Sequence, residues 1–226
     1  MDNFESVNDF NEAIKEIHIL IENANLSISD NLKYRTFNKS SIVLLCGKFE
    51  SFIEGFLEEF GFYILNNFSN KQLETYIKEH LIDVLIKDLD NKKNNPIKRG
   101  EVLMKFVKIL GNDEVLCNEF EINSKFSYGK HGQSEVIKLL KKFGFNEFAN
   151  SDENKIFYEK FNSLNNIRNN ILHQDSTPSL THQDVEKYLA VLEMFIENIH
   201  KEAIKIISEM KNNYIQQPFG EIGVLG

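Results

Sequence analysis

The run Arg168-Asn169-Asn170-Ile171-Leu172-His173 sets a side chain of fixed positive charge five residues before one whose type exchanges protons near neutrality. A planar guanidinium can stabilise negative charge growing on phosphate oxygens, and an imidazole can serve as base or acid. At about 100° per residue the two stand about 140° apart on a regular helix, so they share no simple face. Convergence then needs His173 to sit where the helix unwinds, and the following Gln174-Asp175-Ser176-Thr177-Pro178 predicts a loop there. The same residues also fit a structural reading, with His173 closing a helix carboxyl end and Arg168 paired to an acidic neighbour.

Other chemical candidates are fewer. Tyr128-Gly129-Lys130-His131-Gly132 places Lys130 and His131 between glycines, a setting suited to a phosphate and equally to an ordinary polar loop. Glu50 and Glu54 lie one helical turn apart; they could hold Arg168 and shape a site, or form part of a solvated acidic face. His18, His80, His182 and His200 lack metal-ligand spacing and read as surface or half-buried residues. Cys46 and Cys117 sit in apolar runs, as small buried hydrophobes do, and form neither a zinc site nor a disulfide framework. With no glycine-rich phosphate loop and no nucleophile elbow, the residues imply no metal and no cofactor.

The elements that must carry these residues are helical. Only 11 Gly and 3 Pro punctuate 226 residues, too few turn residues for an all-β chain, while 19 Phe supply a sizeable core without Trp. Three-four apolar spacing predicts helices over residues 4–25, 34–68, 98–110, 134–143 and from the polar run 150–154 to about His173. Ser69-Asn70-Lys71-Gln72 reads as a capping box for a helix carrying Leu73 to Leu89, and Thr181-His182-Gln183-Asp184 as one for a last helix reaching about Lys211. Gly111 is expected to close the fourth helix in the left-handed conformation. The sum is an all-α bundle of about seven helices, with one domain over residues 1–212 and a tail over 213–226.

Lys+Arg 26 against Asp+Glu 34 leaves a net charge of −8, which argues against broad nucleic-acid coating but leaves room for a local basic site. No basic leader or long apolar run suggests secretion or membrane spanning, so a cytoplasmic protein is expected.

The stretch Leu164-Asn165-Asn166-Ile167-Arg168-Asn169-Asn170-Ile171-Leu172-His173, followed by Asp184-Val185-Glu186-Lys187-Tyr188-Leu189, resembles the signature of HEPN domains, an arginine and a histidine with four to six residues between them. The likeness extends to Leu44-Leu45-Cys46-Gly47-Lys48-Phe49-Glu50-Ser51-Phe52 and to Tyr128-Gly129-Lys130-His131-Gly132 before a short helix ending in Phe143-Gly144, and is closest to the RiboL-PSP-HEPN subgroup. It implies a HEPN-like helical bundle and a metal-independent endoribonuclease for single-stranded or loop RNA, of the toxin or antiviral abortive-infection kind, working as a homodimer. His173 would then be the base or acid, Arg168 would stabilise charge on the phosphate, and Asn169 would orient the substrate or the histidine. Lys130, His131 and Asn170 would bind substrate, with Glu50 and Glu54 in support. An antitoxin or sensor protein could be a partner. Toxins of the branch paired with nucleotidyltransferases carry a tyrosine two residues after the histidine; here Asp175 stands there, a departure from that pattern of control.

The rival class is a non-catalytic helical module that binds RNA, a nucleotide or a protein. The acidic balance and the apolar tail Pro218-Phe219-Gly220-Glu221-Ile222-Gly223-Val224-Leu225-Gly226 suit a protein partner.

Overall fold

The computed structural model describes residues 4–127, 131–173 and 179–215. Among them are eight α-helices and one 3₁₀ turn: α1 (Glu5–Leu26), α2 (Asn31–Asn67), α3 (Thr75–Asn91), α4 (Pro96–Leu110), α5 (Gln133–Lys142), α6 (Asn146–Asn150), the turn Asp152–Asn154, α7 (Lys155–His173) and α8 (His182–Ile215). No strand occurs among the described residues, only one isolated antiparallel bridge between Ser69 and Leu116. The fold class is all-α, as composition and periodicity indicate. The one helix beyond the expected seven, α6, is too short for an apolar stripe to reveal it.

Long α2 is the axis of the bundle. Its residues Ile42, Leu45, Cys46, Phe49, Ile53, Phe56, Leu57 and Phe60 are fully buried, at the three-four spacing read from the sequence. The Asp30 side chain accepts from the Lys33 amide and starts the helix a turn earlier than the apolar pattern does. α1 folds back along α2, and Glu59 of α2 accepts from the amides of Glu5 and Ser6, both at 2.7 Å. Two otherwise orphaned amino-terminal donors of α1 are thereby satisfied by its neighbour.

Phenylalanines join the layers. Phe49 of α2 meets Phe10 of α1, Phe157 and Phe161 of α7, and Phe195 of α8, with ring centroids 5.0–6.4 Å apart. Phe157 stacks on Phe195 at 3.7 Å. These contacts fix the rotation of α7 about its own axis, since Phe157, Phe161 and Leu164 must all face α2 and α8.

Two local expectations change. Ser69 and Gln72 make half a capping box: Gln72 accepts from the Ser69 amide at 2.6 Å, but the Ser69 hydroxyl donates to Glu114 and the helix begins only at Thr75. The long-range partner wins over the local cap. Gly111 takes extended backbone (φ −69°, ψ 170°) rather than the left-handed form, in a place where a Cβ would overlap the Val107 carbonyl oxygen. Among the described residues the left-handed glycine is Gly144, at φ +89° after α5. Thr181 and Asp184 do form the reciprocal box ahead of α8, with amide bonds of 3.2 and 3.1 Å.

Candidate functional site

α7 carries two faces with different tasks. Phe157, Phe161 and Leu164 form the core face, and Arg168 continues that line one turn further, where the core ends. A cation in an otherwise apolar line needs a counter-charge. Glu50, the residue after the central Phe49, supplies it: its Oε2 lies 3.7 Å from Nη2 of Arg168, with the two side chains 13% and 22% exposed. The solvated acidic face considered for Glu50 does not occur.

The other face of α7 is a stripe of asparagines. Asn162, Asn166, Asn169 and His173 follow three-four spacing, with Asn165 beside them. Arg168 and His173 are indeed far apart around the helix, and α7 stays helical through His173. They still line one cleft. The cleft, of about 530 Å³, is lined by His131, Gly132, Asn162, Asn165, Asn166, Arg168, Asn169 and His173. The unwinding expected at His173 is not needed for both residues to line the cleft; a groove between two elements admits residues that a single helix face would not.

The opposite wall is the segment leading into α5, and α7 itself holds it in place. Asn165 donates to the His131 carbonyl at 2.8 Å, Asn162 accepts from the Gln133 amide at 3.3 Å, and Asn162 donates to the Gln133 side chain at 2.6 Å. The His131 ring leans edge-on against Phe126, centroids 5.7 Å apart, and its Nδ1 lies 3.6 Å from Oε2 of Glu50. Glu50 thus stands between Arg168 and His131. Burial raises its carboxyl above the ordinary range, opposed first by Arg168 and then by His131. The Asn169 oxygen accepts from Nη1 of Arg168 at 3.2 Å, steadying the guanidinium from the cleft side.

Glu54 acts one turn along α2. It accepts from the Phe126 amide at 2.9 Å and pairs with Lys125 at 3.2 Å, so it fixes the segment on which the His131 ring rests. Asn170 is not among the residues that line the cleft. Lys130, Asp175 and the tail over residues 216–226 lie outside the described residues. Sequence reasoning missed Asn162 and Asn165 as builders of the wall, although their three-four spacing to Asn166 and Asn169 was visible.

The remaining candidates have structural surroundings. Cys46 is fully buried one turn before Glu50, and burial, aided by that carboxylate, pushes its thiol up to about 12. His182 contacts the Tyr34 hydroxyl at 3.2 Å, and His200 sits edge-on to Phe4. His80 is buried, at 4% exposure, where a surface or half-buried position was expected; Asn123 and Phe143 enclose it. Among the described residues no group of three His, Cys, Asp or Glu is placed to hold a metal ion. No described helix is long and apolar enough to cross a membrane.

Comparison with curated proteins found no match, and neither did comparison with solved structures. The family RiboL-PSP-HEPN matches over residues 8–223, nearly the whole chain, and takes in both walls of the cleft. An all-α bundle, the arginine and histidine that line its cleft and that match together make this chain a member of the RiboL-PSP-HEPN family.

Proposed function

We propose that this protein is a metal-independent endoribonuclease that cuts single-stranded RNA, acting as a toxin or abortive-infection effector. The observation that carries this reading is the single cleft in which Arg168, Asn169, His173 and His131 meet. The HEPN family includes ribonucleases, which adds weight to it.

In the reaction the ribose 2′-oxygen loses its proton and bonds to the adjacent phosphorus, while the bond from phosphorus to the 5′-oxygen breaks and that oxygen gains a proton. The products carry a 2′,3′-cyclic phosphate and a 5′-hydroxyl. His173, exposed at the end of α7, takes the 2′-proton. Arg168 donates to the non-bridging oxygens as their charge grows, and Glu50 and Asn169 keep its guanidinium from swinging away. The asparagine stripe offers further neutral donors to sugar and phosphate. A homodimer would bring two such clefts to one RNA, and an antitoxin or sensor protein would restrain the activity in the cell.

The test is incubation of purified protein with end-labelled single-stranded RNA in excess EDTA, wild type beside His173→Ala. Cleavage by wild type alone, leaving cyclic phosphate ends, supports the reading. Intact RNA with folded wild type would overturn it in favour of a non-catalytic binding module, and co-purification of a partner would then be sought.

A further inference from the structure

The reaction proposed above moves two protons, one off the 2′-oxygen and one onto the 5′-oxygen, and His173 accounts for the first. A second imidazole stands in the same cleft. His131 lies on the opposite wall, and its position is built rather than incidental: Asn165 holds its carbonyl, Phe126 supports its ring, and Glu54 fixes Phe126. Its Nδ1 is buried without a hydrogen-bond partner and lies 3.6 Å from the Glu50 carboxylate, close enough for charge attraction, while the side chain as a whole keeps 36% of its surface exposed. With Nδ1 turned inward, the nitrogen left for the cleft is Nε2.

We propose that His131 is the general acid of this site, giving its Nε2 proton to the leaving 5′-oxygen while His173 takes the proton of the 2′-hydroxyl. The proposal rests on the ribonuclease reading. A carboxylate behind one ring nitrogen fixes the orientation of an imidazole and provides a counter-charge for its protonated form, which is the form an acid must start from. Glu50 fills that place for His131. Arg168 shares the same Glu50 oxygen, so the acid and the phosphate-binding cation are positioned by one residue. His131, read from the sequence as a phosphate binder, thereby becomes a catalytic residue, and Glu50 a positioning residue.

The experiment uses a short RNA cut by the wild type at a mapped linkage, made in two forms, one with the natural 5′-oxygen and one with sulfur in its place. Sulfur leaves as a thiolate and needs no proton. His131→Ala is expected to slow cleavage of the oxygen ester about 10²–10⁴-fold and to cut the sulfur ester at close to the wild-type rate. His173→Ala should fail on both. Equal slowing of both esters by His131→Ala, or wild-type cleavage of the oxygen ester, would overturn the proposal. His131→Gln keeps a hydrogen-bonding side chain that cannot give up a proton, and it must behave as His131→Ala. Recovery of oxygen-ester cleavage by His131→Gln would make His131 a phosphate binder and overturn the proposal. Circular dichroism and melting temperature verify that each variant is folded. Intact RNA of both forms with the wild type would instead sink the ribonuclease reading itself, and the role of His131 with it.

Discussion

Replacing Glu50 by glutamine removes one negative charge and leaves the shape of the side chain nearly unchanged. Oε2 lies 3.7 Å from the Arg168 guanidinium and 3.6 Å from the His131 ring. Both separations exceed ordinary hydrogen-bond lengths, so charge attraction carries the interaction. At an effective dielectric constant of about 20, opposite charges at this range attract by about 4–5 kcal/mol before desolvation is counted. Burial opposes that gain, as the raised titration of Glu50 indicates, and Oε1 has no hydrogen-bond partner among the described residues. A net coupling of about 1–2 kcal/mol between Glu50 and Arg168 should survive, more than for an exposed surface pair. The assay is a double-mutant cycle of Glu50→Gln, Arg168→Gln and the pair, read by urea unfolding. Each single change should cost about 1–3 kcal/mol, because each strands a half-buried charge, and the double change should cost less than their sum. In a chain of this size each kcal/mol lost lowers the melting temperature by about 2–4 °C. Costs that add to within about 0.3–0.5 kcal/mol would show that the two side chains do not interact, and Glu50 would no longer explain how Arg168 is held.

Two further predictions concern the scaffold. Burial, and next the charge of Lys142, hold His80 at about 4, and the Asn123 amide donates to its Nε2 at 3.3 Å, which requires a neutral ring. The unfolded chain gains a proton that the native ring refuses, so stability present above about pH 6.5 should fall as pH drops toward about 4, by at most about 3 kcal/mol. His80→Gln should flatten that part of the urea midpoint plotted against pH, and an unchanged slope would refute the assignment. Gly144 has φ +89°, and a Cβ there would overlap the Tyr76 phenol ring. Gly144→Ala should therefore destabilise by about 1–3 kcal/mol, and a thermal melt identical to wild type would refute the strain.

Periodicity alone gave the long helices to within a few residues at most ends, because burying one face of a helix leaves a three-four imprint on the chain whatever it packs against. Residues with a local partner were equally legible, and the Thr181–Asp184 box before α8 is one. Ser69 and Gly111 were misread because their decisive neighbours, Glu114 and the end of α4, came from outside the local motif or from its own backbone. The same division runs through the candidate site. The sequence by itself placed Arg168, Asn169 and His173 within two helical turns and marked Glu50 and His131 as chemically capable. Only the tertiary structure decided that Glu50 stands beneath both Arg168 and His131, and that the asparagines of α7 clamp the opposite wall. Such contacts span 29 or more residues of chain and are set by how the phenylalanine core rotates α7 against α2, and no local spacing encodes that rotation.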